Sequence, residues 1–507
     1  GDRGPGTGDR GPGTGDRGPG HFDAHFEGFG NLIIEGDNFD ALRALRLSHK
    51  GSIRCIYIDP PYNTGNRDFV YNDRFVDKTH RFRHSLWLEF MYRRLLLAKE
   101  LLADDGVIFV SIDDNELFRL GMLMDRVFGE SNWIQTLIWK KSYGGGAKTK
   151  HVIGLHEYVL CFARDKDLLG RIELPPDPKI LKYYKFRDDK FSARGPYRLQ
   201  PLATNSMDTR ENLRYPIPYG GEDIWPAKQW QWSKDRVMTA LANGELVFSR
   251  KGAEWTVNYK QYLRGEDGKE RGSKPYSLIE GPFTQEGTGE IREIFGDGKT
   301  FSFPKPSGLV SHLISYLPND VTVLDFFAGS GTTGHAVAKL NAEDGGARKF
   351  ILVSSTEATV DDPDKNLCRD VCAERVRRVL RGYTNGKGET VPGLGGSFAY
   401  LRARRLPRHR LAQKLEHAEV WCALQLLHAR ALTVWTGQGF AADGPLAYLA
   451  DFHAAHVQRL HDWLATRDEQ DSTLYSWSPA RVTELVGERL DLRCLPIPQH
   501  LRDRFGR

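Results

Sequence analysis

The sequence predicts an α/β protein: a doubly wound, mixed but mostly parallel sheet, interrupted by a long insertion and followed by a segment of different character. Three observations predict it. Buried-strand patterns alternate with amphipathic helical patterns from residue 31 to 163. After about residue 165 Pro, Gly, Tyr and Trp become frequent and the rhythm stops, and at residue 321 it resumes. Such alternation builds parallel sheets, because each helix returns the chain to the same end of the sheet before the next strand.

In chain order, residues 31–37 (NLIIEGD) read as a short buried strand, with an amphipathic helix through Leu47. Residues 52–58 (SIRCIYI) form a second strand that ends in Asp59-Pro60-Pro61-Tyr62. A helix follows over about 82–102, stopped by Gly106, and residues 107–112 (VIFVSI) are a third strand. Asp113 or Asp114 can cap the next helix, which Gly129 closes. Residues 133–139 and 157–163 are strands flanking a Lys- and Gly-rich loop, 140–150. Beyond the irregular stretch, with strand-like pieces such as 245–249, come the strand VTVLD, a Gly-rich turn, a helix, the strand KFILVSS and a helix from about Asn366. The expected domains are an α/β domain of residues 21–165 and 301–400, an insertion of 166–300, and a mainly helical C-terminal region of 401–507. Residues 1–20 repeat GDRGPGT with nothing apolar to bury, as in a disordered leader, native or appended.

At 507 residues and 40% hydrophobic composition the chain can bury substantial cores. A net charge of +5 suits a polyanion partner without requiring one. No apolar run reaches a membrane span, nothing near the start resembles a signal peptide, and a cytoplasmic protein is expected. Of six cysteines only Cys368 and Cys372 are close, and they read as reduced thiols on one helix face. His453, His456 and His461 follow helical spacing without an evident acid and read as part of an amphipathic helix, so no metal is expected.

Two motifs carry chemistry. Phe327-Ala328-Gly329-Ser330-Gly331-Thr332-Thr333-Gly334 lies between a strand and a helix, where glycines let the backbone approach a nucleotide closely. Alone it also fits a dinucleotide site. Asp59-Pro60-Pro61-Tyr62 separates the two readings. It sits at the carboxyl end of a strand, where ligands of open α/β sheets bind. Its prolines stiffen the turn and remove two N–H groups, leaving carbonyls as acceptors. An acidic oxygen and a rigid carbonyl together accept both hydrogens of an NH₂ group, and Tyr62 offers a face for a base. A nicotinamide enzyme has no use for this set; transfer to an aromatic amine does, since such hydrogen bonds release the nitrogen lone pair and stabilise developing positive charge.

These motifs resemble motifs IV and I of the amino-methyltransferases that act on DNA. Motif IV comes first, the circularly permuted order of the beta class. NLIIEGDNFDAL, DDGVIFVSIDDNE, FGESNWI, HEYVL, FPKP and LDFFAGSGTTGHAV are similar to the Mod subunits of Type III restriction-modification systems. The similarity spans roughly residues 30–400 outside the insertion. It implies a Rossmann-like methyltransferase fold with S-adenosylmethionine as cofactor and N6 of a flipped adenine as target. Cytosine-N4 is the nearest alternative, and Asp59 in place of the serine more frequent in N4 enzymes favours adenine. A module that only recognises DNA for a nuclease is the rival of another class. By the same resemblance Asp59, Pro60, Pro61 and Tyr62 are catalytic. Asp37 binds the cofactor's adenine amine, and Asp325, Phe327, Gly329, Ser330, Gly331 and Thr332 form the loop around its methionine and ribose. Glu357 takes the ribose hydroxyls, and Lys305 lies near the methionine carboxylate. Implied partners are double-stranded DNA, a second copy in a homodimer and a restriction (nuclease or helicase) subunit. The lysines of residues 140–150 suit phosphates. Lys182, Tyr183, Tyr184, Lys185, Trp225, Trp230 and Trp232 suit a target-recognition role for the insertion.

Overall fold

The computed structural model describes residues 30–504 except 66–69, 72–73, 76–80, 145–149, 176–177, 206–207, 360–361, 404–415, 429, 438, 468–470 and 488. The repeat of residues 1–20 and residues 145–149 of the lysine-rich loop lie outside the described residues. Contacts divide the chain into a larger unit, 1–170 with 276–507, and a smaller one, 171–275.

The larger unit contains a nine-stranded sheet among its described residues. Its strands are β1 (Asn31–Glu35), β2 (Ile53–Ile58), β3 (Leu102–Ile112), β4 (Trp133–Lys140), β5 (His156–Ala163), β6 (Leu278–Glu280), β7 (Thr322–Asp325), β8 (Lys349–Ser354) and β9 (Phe398–Arg402). They lie in the order β6-β4-β5-β3-β2-β7-β8-β1-β9. Every neighbouring pair is parallel except the two made by β5. The helices are α1 (Asn38–His49), α2 (Arg83–Leu101), α3 (Leu117–Phe128), α4 (Thr284–Phe295), α5 (Ser307–Ile314), α6 (Thr332–Asp344) and α7 (Glu374–Arg381). Cys368–Ala373 is a π-helical turn leading into α7, and both its cysteines are buried.

Central strands read as nearly unbroken apolar runs because helices cover both faces. On one face Trp87, Met91 and Leu95 of α2 are fully buried in one cluster with Ile56, Ile58, Ile108 and Leu324. Each such side chain contributes about 1.5–3 kcal/mol by leaving water. On the other face α5 packs against α6. From β2 the chain goes on to β3 on one side, and from β7 to β8 on the other. The β2/β7 boundary is therefore the topological switch point, where strand carboxyl ends leave a crevice.

Three expectations change. The compact insertion is residues 171–275, narrower than 166–300. Residues 278–280 pair with β4 and Glu290 of α4 pairs with Arg375, so both elements belong to the α/β unit. A three-residue strand among prolines and glycines has too short a pattern to be seen in sequence. The C-terminal region is not mainly helical. Phe440–Asp443, Leu446–Leu449, Ser472–Ser476 and Leu492–Pro496 form a four-stranded sheet, its last three strands parallel, with two apolar clusters and helices such as Ala454–Ala465. Runs such as LAYL suit a buried strand as well as a helix, and only packing decides. Finally, His456 does have an acid beside it: Nδ1 lies 2.6 Å from Oδ1 of Asp451. No three metal-ligating side chains gather among the described residues, and no helix there is long and apolar enough to cross a membrane.

The smaller unit has its own core. Tyr197–Pro201, Leu246–Lys251 and Glu254–Tyr262 form an antiparallel sheet, and Leu202, Ile217, Trp230, Val237 and Val257 pack together. Trp230 is structural, its indole donating to the Tyr215 carbonyl at 2.8 Å. Trp225 and Tyr183 are exposed.

Candidate active site

Asp59 leaves the end of β2, and the glycine turn leaves the end of the adjacent β7, paired with β2 at Val323–Cys55 and Leu324–Ile56. Parallel pairing thus brings together two motifs that lie far apart along the chain.

The Asp59 turn is held from behind. The Trp87 indole donates to the Pro61 carbonyl at 2.7 Å. Asn63, buried and at φ +57°, donates to Glu116 at 2.6 Å, and that carboxylate also meets Nδ1 of His84 at 2.5 Å. Glu116 occupies the N-cap position of α3, whereas Asp113 accepts from Asn115 in the preceding turn. In front, the Tyr62 hydroxyl lies 2.8 Å from Oδ1 of Asp59 and 3.1 Å from Oε2 of Glu157. The Lys305 ammonium reaches the same oxygens at 3.1 and 3.0 Å and donates to the Tyr62 hydroxyl at 2.7 Å. Lys141 holds the other oxygen of Glu157 at 2.8 Å.

Burial opposes both charges of this cluster, and the partners outweigh it. Asp59 and Glu157 hold the Lys305 pKa above the ordinary lysine range. Lys305 and Lys141 hold the Glu157 carboxyl below the ordinary range. Withdrawal from solvent and the adjoining carboxylates push the Tyr62 phenol far up, so it stays a donor.

The glycine turn is tied down as firmly. Oδ1 of buried Asp325 accepts the Phe327 N–H at 2.9 Å, and Oδ2 accepts the Thr333 hydroxyl at 2.5 Å. Burial pushes the Asp325 carboxyl up to about 7. Gly331 has φ +81°, and a Cβ there would stand 2.9 Å from the Cys372 carbonyl, so only glycine fits. Arg375, wholly buried, donates to the hydroxyls of Ser330 and Thr332 at 3.1 and 2.8 Å and pairs with Glu290 at 2.8 Å. Glu290 in turn accepts from Ser307 at the start of α5. The Phe327 ring lies 5.9 Å from that of Phe90, over which Arg94 stacks. Arg94 donates to Asn38, which donates to the Phe326 carbonyl.

Asp37 caps α1 through the N–H groups of Phe39 and Asp40 and lies 3.4 Å from Arg94. Glu357, at φ +53° and half exposed, pairs with Lys365 at 2.9 Å. Lys305, expected near the methionine carboxylate of the cofactor, lies beside Asp59 and Glu157, since a buried ammonium seeks the nearest anions. Glu157, Glu116, Asn63, Glu290 and Arg375 are the residues sequence reasoning passed over, while Lys141, read with its loop as suiting phosphates, pairs with Glu157. Two had a signal. Glu157 is a charge in an otherwise buried strand, and Arg375 falls on the apolar stripe of Cys372, Val376 and Val379.

The two turns thus stand side by side at the switch point of a doubly wound α/β sheet. The chain belongs to the DNA methylase family, whose pattern spans residues 53–361. It is 34% identical to the Type III restriction-modification enzyme StyLTI Mod subunit of Salmonella typhimurium, over 72% of this chain and 59% of that protein. Identity to the EcoPI Mod subunit of Escherichia phage P1 is 32%, over 64% of this chain and 58% of that one. The Type II methyltransferase M.KpnI of Klebsiella pneumoniae is 33% identical, over 63% of this chain and 79% of its own length. The chain thus spans under two thirds of the two Mod subunits.

Proposed function

We propose that this chain transfers a methyl group to N6 of an adenine extruded from double-stranded DNA. The observation that carries the proposal is the adjacency of the Asp59 turn and the glycine turn on β2 and β7. Asp59 and the Pro60 carbonyl accept the two amine hydrogens, which localises the lone pair on nitrogen and stabilises the positive charge that develops there. Pro61 keeps the turn rigid, and Tyr62 gives the base a face to stack on. Charge and alignment suffice, without a covalent enzyme intermediate.

S-adenosylmethionine, the cofactor of this reading, supplies an electrophilic methyl when bound. The residues suit it: Gly329 and Gly331 turn the backbone tightly at φ of +50° and +81°, and Arg375 holds the Ser330 and Thr332 hydroxyls, which fixes the loop that would meet the cofactor. Phe327 supplies an aromatic wall, and Asp325 holds the turn. Asp37 keeps an exposed carboxylate for the adenine amine and Glu357 one for the ribose, once Lys365 yields it. Lys305 we place with the target amine instead of the cofactor carboxylate. The similarity to Mod subunits supports a role as the modification subunit of a restriction system; to that reading we add a homodimer and a nuclease or helicase partner. Residues 171–275 would choose the sequence.

The test is to express the chain in cells free of DNA methylation and sequence modified bases. N6-methyladenine at one recurring sequence is the expected result. N4-methylcytosine would overturn the choice of base, and no methylation, with no binding of S-adenosylhomocysteine, the assignment.

A further inference from the structure

We propose that Glu157 is a positioning residue for transfer to the target amine: it is the anion onto which the Lys305 ammonium and the Tyr62 hydroxyl withdraw when the amine takes Asp59. The inference rests on Asp59 accepting that amine.

Oδ1 of Asp59 is already engaged, by Tyr62 at 2.8 Å and Lys305 at 3.1 Å. The same two donors reach Oε2 of Glu157 at 3.1 and 3.0 Å. Tyr62 has one hydroxyl proton and serves one carboxylate at a time. Shifts of a few tenths of an ångström are enough to pass both donors from one carboxylate to the other. Such a transfer needs a second anion, because the Lys305 side chain is only 11% exposed and an ammonium so far out of water cannot stand unpaired. Glu157 is suited to receive it, since Lys141, just past the end of β4, pins its other oxygen. The rings of Tyr62 and Trp139, 4.7 and 5.8 Å from the ammonium, keep it cationic and guided during the move.

Removing the Glu157 charge leaves Asp59 as the anion facing Lys305, and the target amine must then compete with a tightened ion pair. The measurement is single-turnover methyl transfer to a duplex carrying the site mapped by base sequencing, with S-adenosylhomocysteine affinity and melting temperature alongside. Glu157→Gln should lower the transfer rate about 10–100-fold, the size of a charged hydrogen bond, and leave S-adenosylhomocysteine affinity within about twofold. Adding Lys305→Met to that variant should recover at least about threefold, because the competitor for Asp59 is gone. Glu157→Asp, which keeps the anion, should stay within about fivefold of the parent. Damage to packing would not be rescued by removing a second buried group. A parent-like rate in Glu157→Gln, an additive further loss with Lys305→Met, or an equal loss in Glu157→Asp overturns the proposal. Asp59→Ala separates the two levels: if that variant still transfers methyl, the reading of Asp59 fails, whereas an inactive Asp59→Ala beside a normal Glu157→Gln defeats only the role of Glu157.

Discussion

Asp59 and Asp325 end neighbouring strands, yet their surroundings set them to different tasks. Asp59 is 27% exposed and faces donors it can exchange for a substrate amine, while Asp325 is sealed under the glycine turn. Asp59→Ala should therefore cost at least about a hundredfold in methyl transfer, the loss typical of one acceptor aimed at developing charge, with a smaller effect on S-adenosylhomocysteine binding. Parallel rate and calorimetric measurements check this. Asp325 acts through stability. Its folded pKa of about 7 lies above that of an unfolded aspartate, so the folded state keeps the proton over a range where the unfolded chain has lost it. Stability then falls as pH rises from about 4 to about 7 and is flat above, as far as this group is concerned. Asp325→Asn, which cannot ionise and lets the Thr333 hydroxyl reverse its bond, should remove that slope. Denaturant melts at several pH values would show an unchanged slope if the assignment were wrong.

At the scale of elements, the glycine turn works because helix and loop meet backbone to backbone. Gly331→Ala would put a methyl 2.9 Å from the Cys372 carbonyl at a φ of +81°. The expected cost is about 1–3 kcal/mol, seen as a lower denaturation midpoint, with S-adenosylhomocysteine binding weakened because the turn must shift away from Arg375. A parent-like midpoint would mean that the π-helical turn at Cys368–Ala373 yields easily. Elements also differ in how far sequence exposes them. β2 and β7 were legible as apolar runs ending in motifs, because central parallel strands bury both faces. β6 was not, since three residues carry no period. The C-terminal strands were missed for a related reason: runs four or five residues long, such as LAYL and STLYS, are too short to separate strand from helix.

At the scale of the molecule, the unit of residues 171–275 has its own apolar core and can be exchanged whole. Replacing it with the matching segment of a related methyltransferase should move methylation to the donor's sequence while the product stays N6-methyladenine. A hybrid that folds, binds cofactor product and still modifies the original site would place specificity elsewhere, with the α/β region after residue 416 the next candidate. The amino-acid sequence by itself determined the alternation that makes the sheet, the order of its two motifs and the residue types of the acceptor turn, because periodicity and turn chemistry are local properties of a chain. Tertiary structure alone decided which side chains share the site. Glu157 and Lys305 lie 148 positions apart, with the smaller unit between them, and a buried ammonium takes the nearest anions in space whatever their distance along the chain. The pairing of Arg375 with the glycine turn arises in the same way, from a helix packed against it.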